Sequence, residues 1–255
     1  MNFLNVVILG IVQGVTEFLP ISSSGHLVIF QHFMDVKEGL TLNVFLHFGT
    51  LLAVVLVFWE DIWAMITFKK KYRKLTYYVI IGSIPAGVIG ILFEDFFERI
   101  FSTVTVVGFA LLVTGTLLWI SDRIEIKERD MEDMQLADSI VVGFAQAFAI
   151  IPGISRSGST IVGGLFKGLN RQLAAKYSFL LSVPVIGGAT LLKIKDLATT
   201  GMGNITSLEL IVGTLSAAVA GYFSIKLLLK LINKEKLSIF AYYCWILGLG
   251  IIFVL

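Results

Sequence analysis

The sequence predicts an all-α integral membrane protein made of two inverted-topology repeats, each a re-entrant helix–loop–helix hairpin plus three transmembrane helices. Three observations predict it. The composition is 56% hydrophobic and only 15% charged, with a mean hydropathy of +0.89, outside the range of soluble globular chains. Apolar runs recur at about 41–59, 75–93, 102–121, 177–192, 208–232 and 237–255, each near the ~20 residues that cross a hydrocarbon core. Finally, a segment near the N-terminus returns without a gap in the second half: Gly10/Gly143, Gln13/Gln146, Ile21/Ile154, Ser22/Ser155, Ser24/Ser157 and Gly25/Gly158 coincide. A repeat whose polar centre is broken by Pro and Gly, inside an apolar chain, is the pattern of broken helices facing one another in a membrane.

In chain order, residues 3–34 read as the first hairpin, broken at Pro20 and restarting at Ser22-Ser23-Ser24-Gly25-His26. No Lys or Arg precedes its apolar run, so a cleaved signal peptide is not expected. Three spans follow. Residues 138–168 form the second hairpin, broken at Pro152-Gly153 and restarting at Ser155, and three more spans complete the chain. The result is one membrane domain: repeat one over about 1–121, a charged cytoplasmic connector over 122–137, and repeat two over about 138–255. Pro85 and Pro184 read as kinks. Gly82, Gly87, Gly90, Gly187 and Gly188 read as close helix contacts, and Trp59, Trp63 and Trp119 as interfacial anchors. The single cysteine, Cys244, excludes an intrachain disulfide and reads as packing. His32 and His47 read as packed or interfacial.

Charge sets the orientation. The basic segment Lys69-Lys-Lys-Tyr-Arg73-Lys74 is the strongest cytoplasmic marker. Placing it inside also puts 122–137, 167–176 and 226–236 inside, and with them most of the 20 Lys and Arg residues. The outer segments keep Lys37, Arg99, Lys193 and Lys195, together with Glu94, Asp95 and Glu98. Both termini then lie outside. A hairpin plus three spans crosses an odd number of times, so the halves are oppositely oriented and their tips, Pro20–Gly25 and Pro152–Gly158, meet near the midplane. The connector, dense in Asp, Glu, Lys and Arg, reads as solvated.

The chemistry-bearing residues lie at the tips. Gln13 and Glu17 share a helix face, and a carboxylate inside a membrane needs a partner, a metal or water. Ser22, Ser23, Ser24 and Gly25 can cap a helix or present N–H groups to an anion. With Glu17 and His26 they also fit nucleophile, acid/base and metal-ligand roles. Arg156 is permanently charged and bidentate, which suits phosphate; an ion pair with Glu17 is the competing reading and is compatible with that role.

Gln13-xxx-Glu17, Phe18-Leu-Pro-Ile-Ser-Ser-Ser-Gly-His26 and Pro152-Gly-Ile-Ser-Arg-Ser-Gly-Ser-Thr160, with Gly49-Thr-Leu-Leu-Ala-Val-Val55 and Gly82-Ser-Ile-Pro-Ala-Gly87, resemble the undecaprenyl pyrophosphate phosphatases of the bacitracin-resistance type. The resemblance implies a plasma-membrane enzyme that removes the terminal phosphate of a polyprenyl diphosphate lipid and so recycles the carrier of cell-envelope glycan synthesis. It implies a divalent cation (Mg²⁺ or Ca²⁺) held by Gln13 and Glu17, and a site facing the extracytoplasmic side. Arg156 would clamp the diphosphate, with Ser22, Ser24, Gly25, Ser155, Ser157 and Thr160 binding substrate. Ser23 is the candidate nucleophile and His26 the acid/base; His26 or water as nucleophile remain open. Gln13 is permitted where other members carry Glu, at the cost of one anionic ligand, and Ser24 replaces a threonine common in the family.

Membrane lipids are the other expected partners, nucleic acid is not, and a homodimer stays open. The rival class is a transporter or flippase of an anionic lipid, since inverted repeats with broken helices also build transporters; release of phosphate discriminates. A type-2 phosphatidic-acid-phosphatase-like enzyme is disfavoured, because no Lys-x6-Arg-Pro element is present and no histidine follows Arg156.

Overall fold

The computed structural model describes residues 3–36, 40–93, 96, 104–124, 127–200, 205–232 and 236–254. The charges assigned above to Lys37, Glu94, Asp95, Glu98, Arg99, Glu125 and Lys234, the Lys193 side chain and the extreme termini lie outside this description. Among the described residues there are helices and no strand: α1 (Phe3–Phe18), α2 (Ser23–Phe33), α3 (Leu40–Val57), α4 (Trp59–Ile66), α5 (Arg73–Leu92), α6 (Val104–Ser121), α7 (Leu136–Phe148), α8 (Arg156–Phe166), α9 (Arg171–Thr200), α10 (Ser207–Leu231) and α11 (Ser238–Val254).

Four of these helices are long and apolar enough to cross a membrane, α5, α6, α9 and α10, or five if α3 and α4 count as one span. Residues such as Ile80, Ile84, Val88 and Ile91 lie exposed along one face of α5, an arrangement suited to lipid rather than water. The run at 41–59 is not straight: α3 and α4 meet at Phe58 with a bend of 86°. The acidic first turn of α4 holds the bent segment in place. Asp61 Oδ1 accepts from Lys176 Nζ at 2.6 Å and from the Tyr72 hydroxyl at 2.7 Å, which draws α4 across the foot of α9. The bond to Asp61 pushes Tyr72 up to about 12. The run at 237–255 yields the shorter, 17-residue α11.

Both hairpins form, and each docks on a helix of the opposite half. α1 lies along α10, which also covers α3, while α7 lies against α5, and α6 pairs with α11. The repeated glycines Gly10 and Gly143 mark these crossings. A Cβ on Gly10 would stand 2.7 Å from the Gly213 carbonyl oxygen, and one on Gly143 would stand 2.6 Å from that of Gly82. Gly82 is therefore a close helix contact as expected, whereas Gly87 and Gly188 face open space and Gly90 and Gly187 have only ordinary neighbours. Those four glycines relieve no crowding.

The loops that carry the basic residues gather at one end. Lys74 Nζ donates to the Glu132 carbonyl at 2.8 Å, and Arg171 meets Asp122 at 3.3 Å. Asp122 also accepts from the backbone N–H groups of Leu237 and Ser238. The connector is thus more than a solvated tether. Arg129 bridges its carbonyls to the second hairpin, donating to the Lys167 carbonyl at 2.7 Å and to the fully buried Asp138 at 2.8 Å, while Asp138 accepts from Gln135 N–H to cap α7. A buried carboxylate needs such a partner, and the connector supplies it. Leu42, Leu46, Ile205 and Leu210 cluster with Val6, Leu9 and Leu27 of the first hairpin, at the far ends of helices that start or finish among the basic loops.

Candidate active site

The two tips are built alike. Ser22 caps α2 by accepting from Gly25 N–H at 3.2 Å, and Ser155 caps α8 by accepting from Gly158 N–H at 3.0 Å. Each cap then meets the serine two residues on, Ser24 at 3.3 Å and Ser157 at 3.2 Å. The loops interlock: Ser157 donates to the Leu19 carbonyl and Gly153 N–H donates to Ser24 Oγ. Thr114 of α6 fixes the second loop, donating to the Gly153 carbonyl and accepting from Ser155 N–H. Each loop spends one residue in the left-handed region. In the second it is Gly153, at φ 92, where a glycine costs nothing; in the first it is Ser22, at φ 70, a strained conformation of the kind that concentrates at functional sites.

Glu17, at the end of α1, is the hub. The residue is 6% exposed. Oε1 accepts from Arg156 Nη2 at 2.7 Å, and Oε2 accepts from Gln13 Nε2 at 2.9 Å and from Ser23 Oγ. His47 Nε2 stands 3.6 Å from Oε2, outside hydrogen-bond range. The ion pair of Arg156 with Glu17 is therefore real, and it joins the two tips. Arg156 spends one further donor on the Ser178 carbonyl at 3.1 Å. That leaves most of its five N–H groups for a ligand.

A cavity of about 200 Å³ opens on this hub. Of the residues singled out by sequence, Glu17, Ser23, Ser24, Ser155 and Arg156 line it, together with His47, Gln146, Ser182 and an apolar wall that includes Ile150, Ile154, Val185 and Ile186. The others stand behind this surface. Thr160 bonds the Arg156 carbonyl and Ser178 Oγ, while Ser22, Gly25 and Ser157 make the caps and the interlock. His26 is 4% exposed and held at both nitrogens. Nδ1 must donate to the Ser22 carbonyl at 2.7 Å, which leaves Nε2 to accept from the Tyr243 hydroxyl at 2.7 Å.

Two residues enter the site that the sequence did not announce as functional. His47 was expected to be packed or interfacial, yet it faces the cavity; its Nδ1 donates to the Asn43 carbonyl, turning Nε2 toward Glu17. A lone histidine in an apolar span carries no local signal of that. Gln146 was visible only as the repeat partner of Gln13.

Among the described residues no group of three or more His, Cys, Asp or Glu could hold a metal by itself. The donors at hand are oxygens: the Glu17 carboxylate and Gln13 Oε1, which is buried with no hydrogen-bond partner. That set fits a hard cation such as Mg²⁺, which binds through one or two carboxylates and completes its shell with substrate phosphates.

Fold and site together define a multi-pass helical membrane protein with a buried carboxylate–guanidinium–hydroxyl centre where two broken hairpins meet. The sequence profile described as "Bacitracin resistance protein BacA" matches residues 6–250, and the chain belongs to that family. The undecaprenyl-diphosphatase of Halothermothrix orenii is 54% identical over 253 residues, covering 99% of this chain and 98% of its own. That of Alkaliphilus metalliredigens is 44% identical, with 97% of each chain covered. Undecaprenyl-diphosphatase 4 of Bacillus thuringiensis (strain Al Hakam) is 46% identical, covering 100% of this chain and 97% of its own.

Proposed function

We propose that this chain is a polyprenyl (undecaprenyl) diphosphate phosphatase, hydrolysing the terminal phosphate of the lipid carrier to give the monophosphate and inorganic phosphate. One observation carries the chemical reading. Ser23 and Arg156, which occupy equivalent positions of the two hairpins, engage the two oxygens of one buried carboxylate. Arg156 is a phosphate clamp placed beside a hydroxyl that a carboxylate can deprotonate.

In this reading the diphosphate enters the cavity between Arg156 and the Ser23–Ser24 tip, and the prenyl chain leaves past Ile150, Ile154, Val185 and Ile186. Ser23 Oγ attacks the terminal phosphorus. The bond to the bridging oxygen breaks, its electron pair leaves on the prenyl monophosphate, and the Ser23 proton passes through Glu17. Water then attacks the phosphoserine and frees inorganic phosphate. Arg156 neutralises charge on the transferred phosphoryl group. A divalent cation on Glu17 and Gln13 Oε1 would add further neutralisation. His26 acts as a positioning residue, its Nδ1–H fixing the Ser22 carbonyl beside the nucleophile.

The end that gathers Lys74, Arg129, Arg171 and Lys176 is taken as cytoplasmic, on the charge asymmetry. The halves are then inverted repeats, the first hairpin enters from outside, and the site opens to the extracytoplasmic face of the cell membrane. The exchange of α1 and α7 between halves supports this arrangement.

The test is phosphate release by detergent-purified protein from a prenyl diphosphate, with Mg²⁺ or Ca²⁺ and with EDTA, beside Arg156→Ala and Ser23→Ala. Metal-dependent release lost in both variants is the expected result. Release undiminished in folded Arg156→Ala would sink the site, and release undiminished in Ser23→Ala would sink the nucleophile.

A further inference from the structure

Gln146, near the end of α7, is the repeat counterpart of Gln13, yet its amide is used differently. Gln13 has a carboxylate one turn on and spends its Nε2 on Glu17. One turn on from Gln146 the chain carries Ile150, an apolar residue. Gln146 is 2% exposed and lines the same cavity as Ser23, Glu17 and Arg156. Neither its Nε2 nor its Oε1 has a hydrogen-bond partner among the described residues. Buried amides in folded proteins are nearly always paired. A cavity-lining amide whose donor and acceptor both lack a partner in the protein matches a ligand that offers an acceptor and a donor side by side. A phosphoryl oxygen next to a water molecule has that character, and a glutamine amide orients the attacking water in GTP-hydrolysing enzymes of a different fold.

We infer that Gln146 positions the hydrolytic water of the second half-reaction: Oε1 accepts a hydrogen of the water while Nε2–H donates to a phosphoryl oxygen of the phosphoserine. The inference rests on the Ser23 reading above. In the step it serves, the water oxygen bonds to phosphorus as the bond from phosphorus to Ser23 Oγ breaks. The electron pair stays on Oγ, which takes one proton of the water. The other proton remains on the inorganic phosphate. Gln146 gains and loses no proton; it fixes the line of attack. The first hairpin thus supplies the nucleophile and its base, and the second supplies the clamp and the water.

The test uses full-length protein in detergent and a prenyl diphosphate radiolabelled in its terminal phosphate. Gln146→Met, apolar and of similar shape, should slow phosphate release about 10²-fold, the scale of a misplaced attacking group. Its melting temperature should be no lower than that of the wild type, because the amide it removes has no partner in the protein. Label should accumulate on the protein, and the double variant with Ser23→Ala should carry none. Turnover near the wild-type rate overturns the inference, and so does slow turnover without bound label, which would leave Gln146 a binding residue only. A melting temperature that falls in step with activity also overturns it, by making the amide a structural element. Failure of the Ser23 reading is seen separately, as undiminished release by Ser23→Ala alone.

Discussion

The two hairpins share the hydrogen-bond pattern of their caps and differ in what hangs on it. Both start the second helix with a serine cap that accepts from the glycine three residues on, and both pair that cap with the serine two residues on. Against that common frame Ser23 stands where Arg156 stands, Glu17 where Ile150 stands, and His26 where Ser159 stands. Repetition supplies two matched tips that interlock; divergence turns one into an acid–hydroxyl pair and the other into a cation. The proposed diphosphate site draws on both, and neither hairpin holds it alone.

The contact between the unlike residues is the place to break that division. Removing Glu17 strands Arg156, whose side chain is only 17% exposed, with an uncompensated charge. Glu17→Ala should abolish phosphate release and lower stability by about 3–5 kcal/mol, read as a thermal melt in detergent. Arg156→Lys keeps the charge but loses the planar fork; it should fold normally and lose on the order of 10²-fold in turnover. An active Arg156→Lys would mean that Arg156 serves as a counter-ion to Glu17 and not as a phosphate clamp.

The next contrast concerns backbone. Gly153→Ala forces a side chain onto a left-handed residue and brings its Cβ within 2.6 Å of Ala110 Cβ and 2.7 Å of the Val107 carbonyl oxygen. A destabilisation of about 2–3 kcal/mol is expected. Ser22→Gly, at the strained position of the other tip, removes the strain and the capping hydroxyl together, and a glycine cap costs only a few tenths of a kcal/mol. Its melting temperature should stay close to that of the wild type. A loss at Ser22 comparable to that at Gly153 would show that the capping hydroxyl outweighs the strain at that position.

Much of this was legible in the sequence because it is local. Pro20 and Pro152-Gly153 announce the breaks, the serine–glycine pattern announces the caps, and the gap-free repeat pairs the tips. What escaped was set by contacts between distant segments. The α4 segment beyond the elbow at Phe58 is tied to Lys176, the anchoring of the connector depends on Asp138 and the Lys167 carbonyl, and the orientation of His47 depends on α3 passing beside Glu17. The glycines show the same limit. Gly10 and Gly143 repeat and lie at helix crossings, while a Cβ added at Gly87 or Gly188 would meet nothing within 4 Å.

The caps offer a finer comparison. Ser155→Ala and Ser22→Ala each remove one accepted backbone bond, and each should cost about 1 kcal/mol. Equal shifts in the melt would confirm that the caps are equivalent as well as similar in form, whereas a larger loss at Ser155 would assign the difference to the hold that Thr114 exerts on that loop.

The smallest expected effect tests the residue on which the two tips differ most quietly. His26 has Ser159 as its counterpart, and its imidazole spans from the Ser22 carbonyl to the Tyr243 hydroxyl. Tyr243→Phe removes only the bond at Nε2 and leaves Nδ1 holding the strained turn. If His26 positions Ser22 and so aims Ser23, turnover should fall less than about tenfold, the net worth of one such bond being about 1 kcal/mol, and the pH profile of kcat should not move. If instead His26 carries the proton, freeing Nε2 alters its basicity, and the profile shifts. Tyr243 lies on α11, far from both tips in sequence, so a shift would also make the second half a contributor to the acid–base chemistry of the first.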